Sequence, residues 1–154
     1  MARRPNRPAR ARSLARKFAM QALYQWQLTG HSVADLRNQF AVEEGFDGAD
    51  REYFLELVQG VIERTSELDA TLADLADRPL EQLDPVERAV LLIGIYELRQ
   101  RAEVPYRVVI NEGVELAKRF GATEAHKYVN AVLDRAAYRL RAAEKSALAS
   151  SQPR

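Results

Sequence analysis

A chain of 154 residues, 47% of them hydrophobic, is long enough to close one domain around a sizeable core. The absence of cysteine excludes a disulfide framework and any thiolate site, and the apolar runs are too short to span a bilayer. The net charge of +1 conceals an asymmetry: residues 1–34 hold seven Arg or Lys and no acid, residues 35–103 hold seventeen acids against seven bases, and residues 104–154 hold nine bases against five acids. A basic head and an acidic middle point to two kinds of partner, and the head is a candidate for nucleic acid. Gln21, Gln25 and Gln27 interrupt the apolar residues after the basic start, so no signal-peptide pattern forms and a cytoplasmic protein is expected.

Residues 1–9 carry Pro5 and Pro8 among arginines and are expected to be a disordered basic arm. A single all-helical domain then covers residues 10–143. Ala15, Phe18, Ala19, Ala22, Leu23 and Trp26 share one face of a first helix over residues 10–29, with Gly30 as its stop. Arg12 and Arg16 are one turn apart, which places them together on its outer face. Ser32 caps a second helix with Val33, Leu36, Phe40 and Ala41 inward, and residues 43–48 read as a turn. Tyr53, Phe54, Leu57, Val58, Val61 and Ile62 form the stripe of a third helix. Thr65 or Ser66 caps a fourth, which carries Leu68, Leu72 and Leu75.

The longest apolar run follows, from Ala89 to Tyr96. Asp84 as cap, Pro85 at the first position and Glu87 at the capping-box position identify it as a helix rather than a buried strand. A helix apolar round most of its circumference is surrounded by others, so the remaining elements are expected to pack about it. Pro105 opens a sixth helix with Val109, Ile110, Gly113, Leu116, Ala117 and Phe120 inward, stopped at Gly121. Thr123 caps a seventh, with Ala125, Val129, Val132, Leu133, Ala136 and Leu140 as its stripe. Periodicity fails after Ala143, and residues 144–154 are expected to fray. The result is seven helices without a convincing strand.

Catalytic patterns are missing. There is no Gly-rich phosphate loop and no pair of histidines four apart on a helix; the two histidines are His31, in a turn, and His126. Glu112 and Glu115 have the spacing of carboxylate metal sites but lack matching Glu-x-x-His pairs, so they read as a solvated helix face. No cofactor is expected. Binding chemistry is better represented. Arg12, Arg16 and Lys17 offer phosphate contacts, supported by Arg3, Arg4, Arg7 and Arg10, and Phe120 and Tyr128 flank the turn at 121–124, with Lys118, Arg119 and Lys127 beside them. Aromatics beside such cations stack on unpaired bases. Phe120 fits the core stripe as well; Tyr128 is one step off its stripe and is expected to be exposed.

Three segments carry a resemblance: ARSLARKFAMQALYQWQ at 11–27, PVERAVLLIGIYEL at 85–98, and VPYRVVINEGVELAKRFGATEAHKYVNAVLD at 104–134. In order and spacing they resemble the NusB family of bacterial transcription antitermination factors, over most of residues 10–136. The resemblance implies two small three-helix lobes around a central buried helix, and no enzymatic activity. It implies binding to the boxA RNA of ribosomal RNA transcripts together with NusE, a ribosomal protein acting as a transcription factor. RNA polymerase and other Nus factors are met indirectly, and the chain is expected as a monomer or homodimer. By position, the RNA surface would use Arg10, Arg12, Arg16, Phe120, Glu124 and Tyr128, with Lys127 adding charge, and the NusE surface Tyr24, Glu81 and Glu87. Ala131 stands where the family commonly has glycine. A second reading is a non-catalytic RNA-binding adaptor similar to the NusB-like domain of certain RNA methyltransferases, since no cofactor domain is expected downstream.

Overall fold

The run from Ala89 to Leu98 is buried at every position, which only a surrounding shell of helices can accomplish. It forms the body of helix α5 (Pro85–Gln100) in the computed structural model, which describes residues 7–151. Before it come α1 (Arg7–Thr29), α2 (Val33–Ala41), α3 (Arg51–Glu63) and α4 (Thr65–Leu75). After it come α6 (Tyr106–Phe120), α7 (Ala125–Leu140) and α8 (Ala142–Ser151). Helices α1 to α3 pack together, with α1 and α3 against α5; α6 and α7 pair with each other and close over the other side of α5; α4 touches both α5 and α7. The central helix is thus shared by two flanking lobes.

Both ends of α5 are satisfied by side chains. The Asp84 carboxylate accepts the Glu87 backbone N–H at 2.8 Å, and Pro85 fills the first turn, where a missing N–H costs nothing. Glu87, expected to complete a capping box, instead has its carboxylate 4.0 Å from Arg78. At the other end Arg141, between α7 and α8, donates to the carbonyls of Leu98 at 2.7 Å, Arg101 at 2.8 Å, Val104 at 2.9 Å and Glu97 at 3.2 Å. Those include carbonyls that a helix end otherwise leaves unpaired.

Close packing sets the distance between α5, α6 and α7. A Cβ at Gly94 would stand 2.6 Å from Leu133 Cδ2, and one at Gly113 would stand 2.7 Å from Leu133 Cδ1. The two glycines leave the slot that the Leu133 side chain fills.

The sequence and the structure differ in several places. The turn at 43–48 contains a 3-10 helix, Phe46–Gly48, and is not merely polar: Phe46 is buried edge-on against Phe18 and Phe54 at 5.3 and 4.9 Å. Helix α4 has no side-chain cap; the Thr65 hydroxyl donates back to the carbonyls of Val61 and Ile62, welding α4 onto α3. Residues 7–9, expected in the arm, form the first turn of α1, and an eighth helix occupies Ala142–Ser151 where fraying is expected. The rest of the predicted arm, residues 1–6, and the last residues of the tail, 152–154, lie outside the described residues.

Leu133→Ala empties the slot between the two glycines. The expected loss is about 2–5 kcal/mol, read as a lower midpoint in urea unfolding with an unchanged slope.

Candidate nucleic-acid interface

Residues 10 and 12 are about 200° apart around a helix, so α1 presents its cations on two sides. Arg10 faces α6. With Lys17 it lines an open groove of about 420 Å³ whose far wall carries Lys118 and Arg119, and whose floor includes Leu14 and Leu116. Arg12 faces α3, where its guanidinium lies 4.4 Å from the centre of the Tyr53 ring and 4.0 Å from Asp50.

Arg16 does not join them on the surface. It is 3% exposed, one turn deeper and between the two sides. Its Nε and Nη2 each donate to the Glu97 carboxylate at 2.9 Å, and Nη1 reaches Glu112 at 3.3 Å. Glu97 is 1% exposed and also accepts from the Tyr53 hydroxyl. Burial, reinforced by the charge of Glu97, holds the Tyr53 hydroxyl well above the usual phenol range, so it remains a donor. Ser13 donates to the same Glu112 oxygen that receives Arg16. Glu112 is therefore no freely solvated acid. It closes a network that joins α1, α3, α5 and α6, while Glu115 remains on the surface beside Lys118 at 3.5 Å.

The aromatic pair flanks the α6–α7 turn as expected, but neither ring is free. Phe120 is half-buried against the core, with Arg119 at 5.1 Å. Tyr128 is half-buried rather than exposed; the Arg78 guanidinium covers one face at 3.9 Å from the ring centre, and its hydroxyl is buried without a hydrogen-bond partner. Glu124, not Thr123, occupies the cap position of α7. It has a left-handed backbone, φ 69°, makes no side-chain cap bond, and pairs with Lys127 in solvent.

The residues expected on the acidic face are also divided. Tyr24 is exposed beside Gln21, Gln25, Leu28 and Gln39, and Glu81 is exposed in the 3-10 turn Leu80–Gln82. Glu87 is 7% exposed. Burial, followed by the neighbouring Asp84 charge, raises its carboxyl above the usual range. Gln27, one turn after Tyr24 on α1, donates to the Pro85 carbonyl at 2.8 Å and accepts from Arg88 at 3.1 Å, which ties that end of α1 to the entrance of α5.

Glu97, Arg78 and Arg141 were not singled out from the sequence, and the helical period marks Tyr53 only as a core residue of the third helix. Glu97 had a signal: an acid inside a helix apolar on nearly all sides requires a buried partner. Among the described residues no cluster of His, Cys, Asp or Glu could hold a metal ion, and no helix is long and apolar enough to cross a membrane.

The chain matches the model of the NusB family over residues 13–138. It is 50% identical over 149 residues to the transcription antitermination protein NusB of Marinomonas sp., covering 94% of this chain and 86% of that one. It is 55% identical over 136 residues to NusB of Halorhodospira halophila, covering 87% of each. Among solved structures, NusB of T. maritima superposes with a TM-score of 0.72 at 30% identity, covering 81% of this chain and 89% of that one. A chain from the crystal structure of antitermination factors NusB and NusE in complex with dsRNA superposes with a TM-score of 0.70 at 27% identity, covering 82% and 96%.

Removing one member of a buried ion pair strands the other. Arg16→Ala is expected to cost about 3–5 kcal/mol, whereas Arg12→Ala, which loses a half-exposed pair and the cation–π contact with Tyr53, costs about 1–2 kcal/mol. Chemical denaturation of the two variants side by side checks the contrast.

Proposed function

Because the chain belongs to the NusB family of transcription antitermination proteins, we propose that it binds the boxA RNA of ribosomal RNA transcripts together with NusE and so suppresses premature termination by RNA polymerase. At the family level the function is RNA-binding antitermination by a non-catalytic adaptor. The observation that carries the finer reading is the groove between α1 and α6, where Arg10, Lys17, Lys118 and Arg119 outnumber Glu112 and Glu115 around the apolar Leu14 and Leu116. Four cations at that spacing suit the backbone of a single strand, and Leu14 and Leu116 offer apolar contact to a base. Arg12 extends the cationic edge toward α3. Phe120, Glu124 and Lys127 border the same end of α6 and α7; Glu124 can accept from a base amino group.

Arg16 acts in this reading as a positioning residue. Its pairing with Glu97 and Glu112 fixes the register of α1 against α6, and hence the width of the groove. NusE, a basic ribosomal protein, meets the acidic middle of the chain. Tyr24 and Glu81 supply direct contacts, and Glu87 supports them from beneath by holding Arg78 and the start of α5. A relative of the same fold was crystallised with NusE and RNA, which supports the pairing of partners. The work is cytoplasmic, and RNA polymerase and other Nus factors are reached through the complex.

Single-stranded RNA engaged at four phosphates gives a log–log salt slope of about −3. Arg10→Ala with Arg119→Ala should lower affinity and bring the slope to about −1.5, since each lost phosphate contact removes about 0.7, while NusE capture is retained. Tyr24→Ala with Glu81→Lys should do the opposite, weakening NusE capture and leaving binding to isolated RNA intact. Filter binding across salt and calorimetry with NusE read both arms; an unchanged slope in the first variant rejects the groove.

A further inference from the structure

Tyr128 cannot offer its covered face to a base. The Arg78 guanidinium stands 3.9 Å from the ring centre, too close for a base to enter between them. The tyrosine hydroxyl, buried and unpaired, adds no polar recognition, so the ring serves as an apolar backing. Arg78 itself is held from two further directions. Its Nε is 3.9 Å from Asp77 and its Nη1 is 4.0 Å from Glu87, which packs in from the start of α5. With all these neighbours the side chain is still 40% exposed.

Resting on the RNA-binding reading above, we propose that Arg78 is the platform on which an unpaired base of the bound RNA stacks, with Tyr128 as its backing. The local charge decides between a base and a phosphate. Asp77 and Glu87 offset part of the guanidinium charge, which weakens its attraction for a phosphate. The same neighbours hold a planar, polarisable group with part of its surface toward solvent, and unpaired bases stack on arginine planes as they do on aromatic rings. Arginine laid on an aromatic loses less conformational freedom on binding than a free one, because the cation–π contact has already ordered it. The platform lies just before the Leu80–Gln82 turn and against Tyr128 in the first turn of α7, a turn that also carries the exposed Lys127.

The test uses the full chain and a set of single-stranded boxA RNAs, each with one base replaced by fluorescent 2-aminopurine. One position should be quenched by the unaltered protein. That quenching should vanish in Arg78→Ala and Arg78→Lys and survive in Tyr128→Phe. Affinity in the two Arg78 variants should fall about 5- to 150-fold, the range of one stacked base, with the salt slope unchanged because no phosphate contact is lost. Arg78→Lys keeps the charge and removes the plane, and it carries the test should Arg78→Ala lose its helical structure. Unchanged or increased affinity in the Arg78 variants overturns the platform, as does full rescue by lysine, which would mark a charge contact. Loss of NusE capture with RNA binding intact also overturns it and assigns Arg78 to a protein surface. Failure of the unaltered protein to bind any of the RNAs overturns the RNA-binding reading together with it.

Discussion

Glu97 is a charge that the fold cannot leave alone. It sits in the last turns of a helix enclosed on all sides, and an isolated carboxylate there would be prohibitively costly. Arg16 from α1 meets it through Nε and Nη2, and Tyr53 from α3 adds its hydroxyl. Such a buried pair adds little net stability over a well-packed apolar substitute. Its effect is selective: any packing that slides α1 along α5 would bury both charges without partners. The network therefore acts as a register lock, and Arg141 makes a comparable demand at the end of α5 by needing four carbonyls at once.

The lock bears directly on the surfaces. The groove proposed for RNA has one wall on α1 and the other on α6, and those helices touch only lightly. What holds them in relation is α5, through Arg16, Glu97 and Glu112. At the other end of α5, Gln27 and Arg88 tie α1 to α4 and α5 beside Tyr24 and Glu87. One buried helix thus underlies both the groove proposed for RNA and the surface proposed for NusE. Arg78 lies between these regions, touching Tyr128 on α7 and Glu87 on α5.

Elements of the fold whose information is local were legible in the sequence. Asp84 and Pro85 announce the start of α5, Ser32 caps α2, and the apolar stripes of α3, α6 and α7 are buried where their period places them, apart from the half-buried Ile62, Phe120 and Leu140. Side-chain direction at the site was less legible. Helical spacing correctly puts Arg12 and Arg16 one turn apart, but a turn of inward travel separates a surface cation from a buried one, and only the partner at position 97 decides which is which. Tyr128 failed in the same way: its stripe position is half-exposed, and the cover comes from Arg78, fifty residues earlier in the chain. Periodicity describes one element at a time, and these contacts belong to pairs of elements distant in sequence.

Helix α5, with its charged node, makes the two lobes one cooperative body. Native-state hydrogen exchange on the free protein tests this most directly. Amides of residues 89–98 should exchange only through global unfolding, and the α1 and α6 amides packed on α5 should share that free energy. An opening of α6 and α7 at a clearly lower free energy, with α1, α3 and α5 still protected, would contradict the account.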